Sequence, residues 1–285
     1  MAFMEPEIIN LRPENPEVKL VCYCAGRSKE LPFNEKRKAI LIIPGGAYRF
    51  CSDREGEPMA MAFLSRGYNA FVLYYSVASH AKYPNPLIDA SRAVKIIKDN
   101  AEKFCIDPDF VFTIGFSAGG HLAGMLATMW HRKCVYDEID MPYGYNKVRG
   151  AVLCYAVITG GKYAHRGSID NLLGMEHSEN ADPALLDDIS IEKHVDERTV
   201  PMFLWHTVPD TTVPVQNSLL LAKELADNKI PFEMRIYPDG WHGLSLANET
   251  VGVKADFTYV QRWIDDAFRF LDSLYTTFTG GFQPF

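Results

Sequence analysis

Short apolar runs alternate along the chain with segments that place apolar residues three or four positions apart. The runs predict strands over residues 18–24, 39–43, 70–75, 110–115, 148–155, 202–206 and 232–237. The spaced segments predict helices over residues 58–66, 87–104, 117–131, 215–228 and 256–276. Because strands and helices follow one another in turn, the pattern is typical of an α/β protein with a mainly parallel, twisted sheet and helices on both faces.

The alternation stops between residues 159 and 196, where glycines and polar residues surround isolated apolar ones. A segment of this length without a clear element is usually functional in a compact domain. We therefore predict one domain over residues 1–285 with a lid insertion at about 159–196, a surface excursion without a catalytic role being the alternative. At the C-terminal end, Gly280 and Gly281 are expected to end the last helix before a loose tail.

The composition is that of a globular protein, since 47% of the 285 residues are hydrophobic and 23% are charged. A formal net charge of −7 argues against a nucleic-acid partner, because such binding depends on basic residues that neutralise phosphates. No apolar run approaches the roughly 18 residues of a membrane helix, and residues 1–20 lack the pattern of a signal peptide. We expect a cytoplasmic protein that acts on a small molecule and has no membrane partner. Its oligomeric state is left open.

The six cysteines are scattered, and most lie in apolar segments typical of reduced core thiols. Cys22 and Cys24 are spaced too closely for the usual zinc knuckle, and the histidines show no ligand spacing. The sequence therefore predicts no metal site, no disulfide and no cofactor.

The sequence Gly-Phe-Ser-Ala-Gly-Gly at 115–120 stands between a predicted strand and a predicted helix. A serine presented from so sharp a turn leaves no room for side chains two residues before and after it, and glycine occupies both places. The turn also puts Ser117 at a helix N-terminus, which favours a developing negative charge. We predict that this motif is a nucleophile elbow; an ordinary glycine-rich turn is the alternative.

A serine hydroxyl needs a base to remove its proton, and that base needs an acid that fixes its tautomer. Asp210 follows the predicted strand 202–206, and His242 follows the predicted strand 232–237. The C-terminal ends of parallel strands lie along one edge of a sheet, so residues placed there can converge. The chain order Ser117, Asp210, His242 therefore predicts a catalytic triad.

Two other residues compete for these roles. His206 is the nearest rival as the base, but it precedes Asp210 by only four residues and is better placed to support the acid loop. Asp239 adjoins a glycine and is interpreted as a turn residue.

The tetrahedral intermediate of acyl transfer needs backbone amides aimed at its oxyanion. Ala118, which follows the serine, is expected to supply one of them. The loop Pro-Gly-Gly-Ala-Tyr at 44–48 follows an early strand, and its glycines let the backbone turn amides inward. We predict that Gly46 and Ala47 supply the others.

These segments resemble the α/β-hydrolase esterases over nearly the whole chain, through residues 44–48, 115–121, Asp210 and His242. Residues 52–58 and 83–90 resemble more narrowly the bacterial branch of acetyl xylan, feruloyl and other carbohydrate esterases, which is similar to hormone-sensitive-lipase-like enzymes. Two positions depart from the pattern: Pro44 stands where many relatives have histidine, and Thr207 replaces a glycine. Both changes could alter loop shape and substrate choice.

The resemblance implies an α/β-hydrolase fold and a serine carboxylesterase that hydrolyses small acyl esters, above all acetyl esters, with sugars or oligosaccharides as candidate alcohols. Tyr48, His121 and Trp241 are candidates for the substrate pocket. The aromatic rings could stack on a sugar or simply pack the loops, and His121 could equally bond to nearby backbone. An amidase, formamidase or prolyl-oligopeptidase-like peptidase would use the same triad, and a non-catalytic binding protein on this fold is a further alternative.

Overall fold

An eight-stranded sheet runs through the computed structural model, which describes residues 5–26, 30 and 36–276. In chain order its strands are β1 (Glu7–Asn10), β2 (Lys19–Tyr23), β3 (Arg37–Ile43), β4 (Tyr68–Tyr74), β5 (Ile106–Phe116), β6 (Ala151–Cys154), β7 (Met202–Thr207) and β8 (Phe232–Tyr237). In space they follow the order β1-β2-β4-β3-β5-β6-β7-β8. β2 pairs antiparallel with both β1 and β4, and every other pair is parallel. The predicted, mainly parallel sheet is therefore confirmed.

Helices cover both faces of this sheet. They are α1 (Glu57–Leu64), α2 (Asn85–Asp99), α3 (Ala118–Thr128), α4 (Lys133–Tyr136), α5 (Arg166–Leu173), α6 (Pro183–Asp188), α7 (Gln216–Asp227), α8 (Thr258–Gln261) and α9 (Trp263–Thr276). Side chains from α2, α3 and α7 form the core on one face, and side chains from α1 and α9 form the core on the other. Along β3, Ile40 and Ile42 enter one core while Leu41 and Ile43 enter the other, so both sides of the strand are buried.

Some elements differ from those predicted. β1 was not predicted, because it is a short, largely exposed edge strand with only two apolar residues between polar ends. The helix predicted over 256–276 is divided at Arg262 into α8 and α9. The predicted stop at Gly280 and Gly281, and the tail after it, lie outside the described residues.

The segment between β6 and β7 contains more regular structure than its sequence predicted. It includes α5 and α6 and two 3₁₀ turns, Ser178–Asn180 and Ile191–His194. These elements are three to eight residues long, which is too short for a helical period to stand out in the sequence. The excursion leaves the sheet at the C-terminal end of β6 and returns to the start of β7.

All six cysteines are free thiols. Among the described residues, no group of three or more histidine, cysteine or acidic side chains is placed to hold a metal ion. Within the same part of the chain, no helix combines the length and the apolar character needed to cross a lipid bilayer.

Candidate active site

Ser117 occupies a strained turn between β5 and α3. Its backbone has φ +53° and ψ −118°, a conformation that residues other than glycine rarely adopt. A Cβ at Gly115 would lie 2.1 Å from the carbonyl oxygen of Gly119, and a Cβ at Gly119 would lie 2.2 Å from that of Ile43. The two glycines are therefore required by close backbone approach, and the turn has the geometry of the predicted elbow.

The structure brings the three predicted triad residues into one chain of hydrogen bonds. The Ser117 hydroxyl donates to Nε2 of His242 over 2.8 Å. Nδ1 of the same imidazole donates to Oδ2 of Asp210 over 2.7 Å. Because the Asp210 carboxylate can only accept a hydrogen bond, the proton of the neutral imidazole is assigned to Nδ1. Nε2 is then free to accept the serine proton.

Asp210 is held as an ionised acceptor by several donors. Its Oδ1 accepts from the amides of Thr212 and Val213, each over 2.9 Å. Burial acts to raise the pKa of Asp210, but hydrogen bonds from His206 and His242 outweigh it, so the pKa lies well below its usual value. The carboxylate is therefore charged at neutral pH and can stabilise an imidazolium at His242.

His206, the rival candidate for the base, lies behind the acid. Its side chain is fully buried, and its Nε2 lies 3.3 Å from Oδ2 of Asp210 and 2.9 Å from the carbonyl oxygen of Val213. Its Nδ1 lies 2.8 Å from the hydroxyl of Ser218. Nε2 is thus engaged by the acid loop and Nδ1 by α7, so neither nitrogen of His206 is free to accept the Ser117 proton.

The loop after β3 presents the predicted oxyanion donors. Gly46 has φ +128°, and Ala47 and Tyr48 have φ +55° and +57°, so three successive residues have positive φ, as a sharp turn of the kind predicted here requires. Within the described part of the chain, the amides of Gly46, Ala47 and Ala118 donate to no other residue. Gly46 and Ala47 line the same cavity as Ser117.

A buried carboxylate that sequence analysis missed supports this loop. Glu55 is 3% exposed, and its Oε2 accepts from the Gly45 amide over 2.8 Å while its Oε1 accepts from the Tyr155 hydroxyl over 2.7 Å. Burial raises the pKa of Glu55, and these two hydrogen bonds oppose that rise. The Tyr155 hydroxyl also accepts from the Ser245 amide over 2.9 Å. Glu55 thereby joins the oxyanion loop to the loop that follows His242.

A cavity of about 190 Å³ opens in front of Ser117. Its lining residues are Gly46, Ala47, Phe50, Ser52, Arg54, Glu55, Ser117, His165, Thr212, His242 and Gly243. A larger cavity of about 550 Å³ lies at the opposite edge of the sheet, where β5, β6 and β7 begin, and contains none of the triad. The smaller cavity is the candidate site, because Ser117 and His242 line it together with Gly46 and Ala47.

None of the three predicted pocket residues lines this cavity. Tyr48 and His121 are fully buried, and the Tyr48 hydroxyl donates a hydrogen bond to Nδ1 of His121 over 2.8 Å. Nε2 of His121 donates to the Ile189 carbonyl oxygen over 2.8 Å. Burial lowers the pKa of His121 to about 4, so its ring is neutral. Trp241 is 48% exposed and packs edge-on against Phe257 outside the cavity. The prediction was wrong because closeness in sequence to an active-site loop does not give the direction of the side chain.

The excursion between β6 and β7 reaches the site at two points. His165 lines the cavity, and burial lowers the pKa of its imidazole. Nδ2 of Asn171 donates to the Ala47 carbonyl oxygen over 2.8 Å, which ties α5 to the oxyanion loop. Sequence analysis gave no residue of this segment a role, because neither position belongs to a recognisable motif.

Comparison with known proteins finds esterases and glycan-degrading enzymes. Endo-1,4-beta-xylanase B of Butyrivibrio fibrisolvens is 43% identical over 219 residues, which are 75% of this chain but 33% of that protein. The chain thus spans about a third of the length of this relative. MGS-M1, an α/β hydrolase enzyme from a Medee basin deep-sea metagenome library, is 37% identical, with a TM-score of 0.77 over 95% of this chain and 98% of its own.

An acetyl ester-xyloside bifunctional hydrolase from Caldicellulosiruptor lactoaceticus also has the same fold. It is 37% identical, with a TM-score of 0.79 over 94% of this chain and 96% of its own. The model of the BD-FAE family matches residues 30–225, which is more than half of the chain. Together with the eight-stranded sheet, these matches show that the chain belongs to the BD-FAE family of α/β hydrolases.

Proposed function

We propose that this protein is a serine carboxylesterase that hydrolyses small acyl esters, above all acetyl esters of sugars, through an acyl-enzyme. One observation carries the proposal. The Ser117 hydroxyl lies 2.8 Å from Nε2 of His242, whose Nδ1 lies 2.7 Å from the Asp210 carboxylate. Ser117 and His242 line the same cavity as Gly46 and Ala47. A hydroxyl, a base and an orienting acid in this order are the requirements for acyl transfer.

In the first half of the reaction, the Ser117 oxygen attacks the ester carbonyl carbon while Nε2 of His242 takes the hydroxyl proton. The carbonyl oxygen becomes an oxyanion that accepts hydrogen bonds from the amides of Gly46, Ala47 and Ala118. When the tetrahedral intermediate collapses, the bond between the carbonyl carbon and the alcohol oxygen breaks, and His242 gives its proton to that oxygen. The alcohol leaves, and the acyl group stays on Ser117.

In the second half, a water molecule takes the place of the alcohol. His242 removes one of its protons as the water oxygen attacks the acyl carbon, and the same amides hold the new oxyanion. The bond to the Ser117 oxygen then breaks, and His242 returns the proton to that oxygen. The acid is released, and the enzyme regains its starting state. Asp210 stays ionised throughout and stabilises the imidazolium.

Two observations support a small acyl group. The cavity of about 190 Å³ is smaller than the roughly 300–1,000 Å³ of ordinary ligand pockets, and Gly46 and Ala47 form part of its wall. A relative that is 37% identical is named an acetyl ester-xyloside hydrolase, and another that is 43% identical is named a xylanase. Acetylated sugars are therefore the substrates that we assign first.

We also assign a lid role to residues 159–196 within one domain. The contact of Asn171 with the Ala47 carbonyl oxygen and the presence of His165 in the cavity wall support this assignment. A segment that touches both the oxyanion loop and the cavity can restrict which acyl and alcohol groups enter.

A panel of substrates tests the function. Purified protein is offered 4-nitrophenyl esters from acetate to octanoate, an acetylated xyloside, an N-formyl aromatic amide and a dipeptide. We expect kcat/KM to fall about tenfold or more from acetate to octanoate, because pocket contacts set discrimination. We expect turnover of the acetylated xyloside and much weaker turnover of the amide and the dipeptide. Preference for octanoate, or for either amide substrate, would contradict the proposal.

A further inference from the structure

Arg54 stands at the border of two cavities. It lies in the 3₁₀ turn Asp53–Glu55, and its exposed side chain lines the catalytic cavity together with Ser52 and Thr212. It also lines a neighbouring cavity of about 610 Å³, whose wall includes Asp53 and Glu57. A ligand that extends out of the catalytic cavity in this direction has to pass the guanidinium.

The backbone of Arg54 is fixed while its guanidinium is not paired. The Ser245 hydroxyl donates to the Arg54 carbonyl oxygen over 2.8 Å, which anchors the turn to the loop after His242. Among residues 5–26, 30 and 36–276, no side chain forms an ion pair or hydrogen bond with the guanidinium. Its five N–H donors, in a geometry that matches a carboxylate, are therefore available to a ligand.

The position of Arg54 relates it to the alcohol part of an ester. His242 must give its proton to the leaving alcohol oxygen, so that group lies on the His242 side of Ser117. Gly243 follows His242 directly, and a Cβ built on Gly243 would lie 3.5 Å from a guanidinium nitrogen of Arg54. The guanidinium thus flanks the leaving-group side.

The other charged and titratable groups around the guanidinium leave the catalytic side open to an anion. Glu55 does line the catalytic cavity, and the charge of Arg54 acts to lower its pKa. Burial has the larger effect and raises the pKa of Glu55, and its two oxygens already accept from the Gly45 amide and the Tyr155 hydroxyl. Asp53 and Glu57 line the neighbouring cavity but not the catalytic one. His165 contributes a ring whose pKa burial lowers. An anion is therefore repelled from the neighbouring cavity and meets Arg54 from the side of Ser117.

We infer that Arg54 forms an anion subsite that selects esters whose alcohol part carries a carboxylate, as an acetylated uronic acid does. This inference rests on the proposed esterase function and names the substrate class of the same site. A carboxylate bound at a guanidinium gains two charge-assisted hydrogen bonds, and the pair is partly screened because Arg54 is exposed. The net effect on kcat/KM is expected to be about tenfold.

A matched pair of substrates tests the subsite. The 3-O-acetates of methyl glucuronoside and of methyl glucoside differ only at C6, which is a carboxylate in the first and a hydroxymethyl group in the second, and acetate release from each gives a ratio of kcat/KM values. The wild type should prefer the uronate about tenfold, and Arg54→Gln should lower this ratio about tenfold. Arg269→Gln, which removes an exposed arginine on the outer side of α9, should leave the ratio unchanged. Salt at about 0.5 M should reduce the wild-type ratio by screening.

Two results would overturn the subsite: a wild-type ratio of one or less, or a ratio that is the same in wild type and Arg54→Gln. Turnover of 4-nitrophenyl acetate, measured in the same samples, reports separately on the esterase. If the wild type hydrolyses this neutral ester and Ser117→Ala does not, a missing uronate preference contradicts the subsite alone. If Ser117→Ala hydrolyses it as the wild type does, the esterase mechanism itself fails.

Discussion

Replacing Ser117 by alanine is expected to lower kcat for 4-nitrophenyl acetate about 10⁵-fold, because the residues of a triad act as one unit. The substitution removes the oxygen that forms the acyl-enzyme and leaves His242 without a proton to accept. The amides of Gly46, Ala47 and Ala118 would still stabilise an oxyanion, so a small residual rate above that of water is expected. Initial rates at saturating substrate, divided by the enzyme concentration determined from protein mass, give kcat for the wild type and the variant.

Ser65→Ala is the matched control for this substitution. Ser65 directly follows α1 and is not among the residues that line the cavity, and its exposed hydroxyl donates to the Ala62 carbonyl oxygen. Ser65→Ala should keep kcat within about twofold of the wild type, because it leaves the triad unchanged. Exposed substitutions of this kind also change the free energy of unfolding by only about 0.5 kcal/mol. A Ser117→Ala enzyme that retained wild-type turnover while folded would remove this serine from the reaction.

Asp210→Asn is expected to lower kcat about 10³- to 10⁴-fold, because it favours the wrong tautomer of His242. Oδ1 of Asp210 accepts from the Thr212 and Val213 amides, so the carbonyl oxygen of the new amide must stay on that side. Its NH₂ group then takes the place of Oδ2 and donates to Nδ1 of His242. The imidazole must carry its proton on Nε2, where it can no longer accept from Ser117.

Asp239→Asn provides the comparison for the acid. Asp239 is exposed, precedes His242 by three residues and, among the described residues, accepts a hydrogen bond only from the Gly240 amide. The same chemical change there should leave kcat within about twofold of the wild type. Steady-state rates of both variants on 4-nitrophenyl acetate, with circular dichroism as the test of folding, distinguish the two acids. Equal losses in both, or a rate near wild type for Asp210→Asn, would contradict the role given to Asp210.

Much of the fold could be predicted because the parallel strands are buried on both faces. The continuous apolar run in β3 places Ile40 and Ile42 in one core and Leu41 and Ile43 in the other, and such a run is typical of a strand that is covered on both faces. β1 could not be predicted, since its place in the sheet comes from backbone hydrogen bonds to β2 rather than from an apolar pattern. The short helices between β6 and β7 depend in the same way on contacts with the rest of the chain.

The chemistry of the site was predictable where a residue type is forced by geometry. Glycine is required at 115 and 119 because a Cβ at either position would lie about 2 Å from a backbone oxygen. Glycines two residues before and after a serine distinguish Ser117 from the other serines of the chain. Asp210 and His242 followed from their places after β7 and β8, since parallel strands end along one edge. These three side chains do meet at hydrogen-bond distance.

The support around the site could not be read in the same way. Glu55 is one of 36 acidic residues, and only the fold reveals that it is buried between Gly45 and Tyr155. The place of Tyr48 at the end of the oxyanion loop favours a pocket residue, yet its side chain lies in the core and forms a hydrogen bond with His121. The direction of a side chain depends on dihedral angles such as φ +57° at Tyr48, which the sequence pattern does not encode.

Covalent labelling is the most direct test of whether Ser117 is the nucleophile. The folded protein is treated with a fluorophosphonate, which reacts with an activated serine, and the modified peptide is identified by mass spectrometry. We expect one equivalent of label on Ser117, none on Ser117→Ala, and protection of the wild type by excess acetyl ester. A label on a different residue, or no label on folded wild-type protein, would contradict the proposed mechanism.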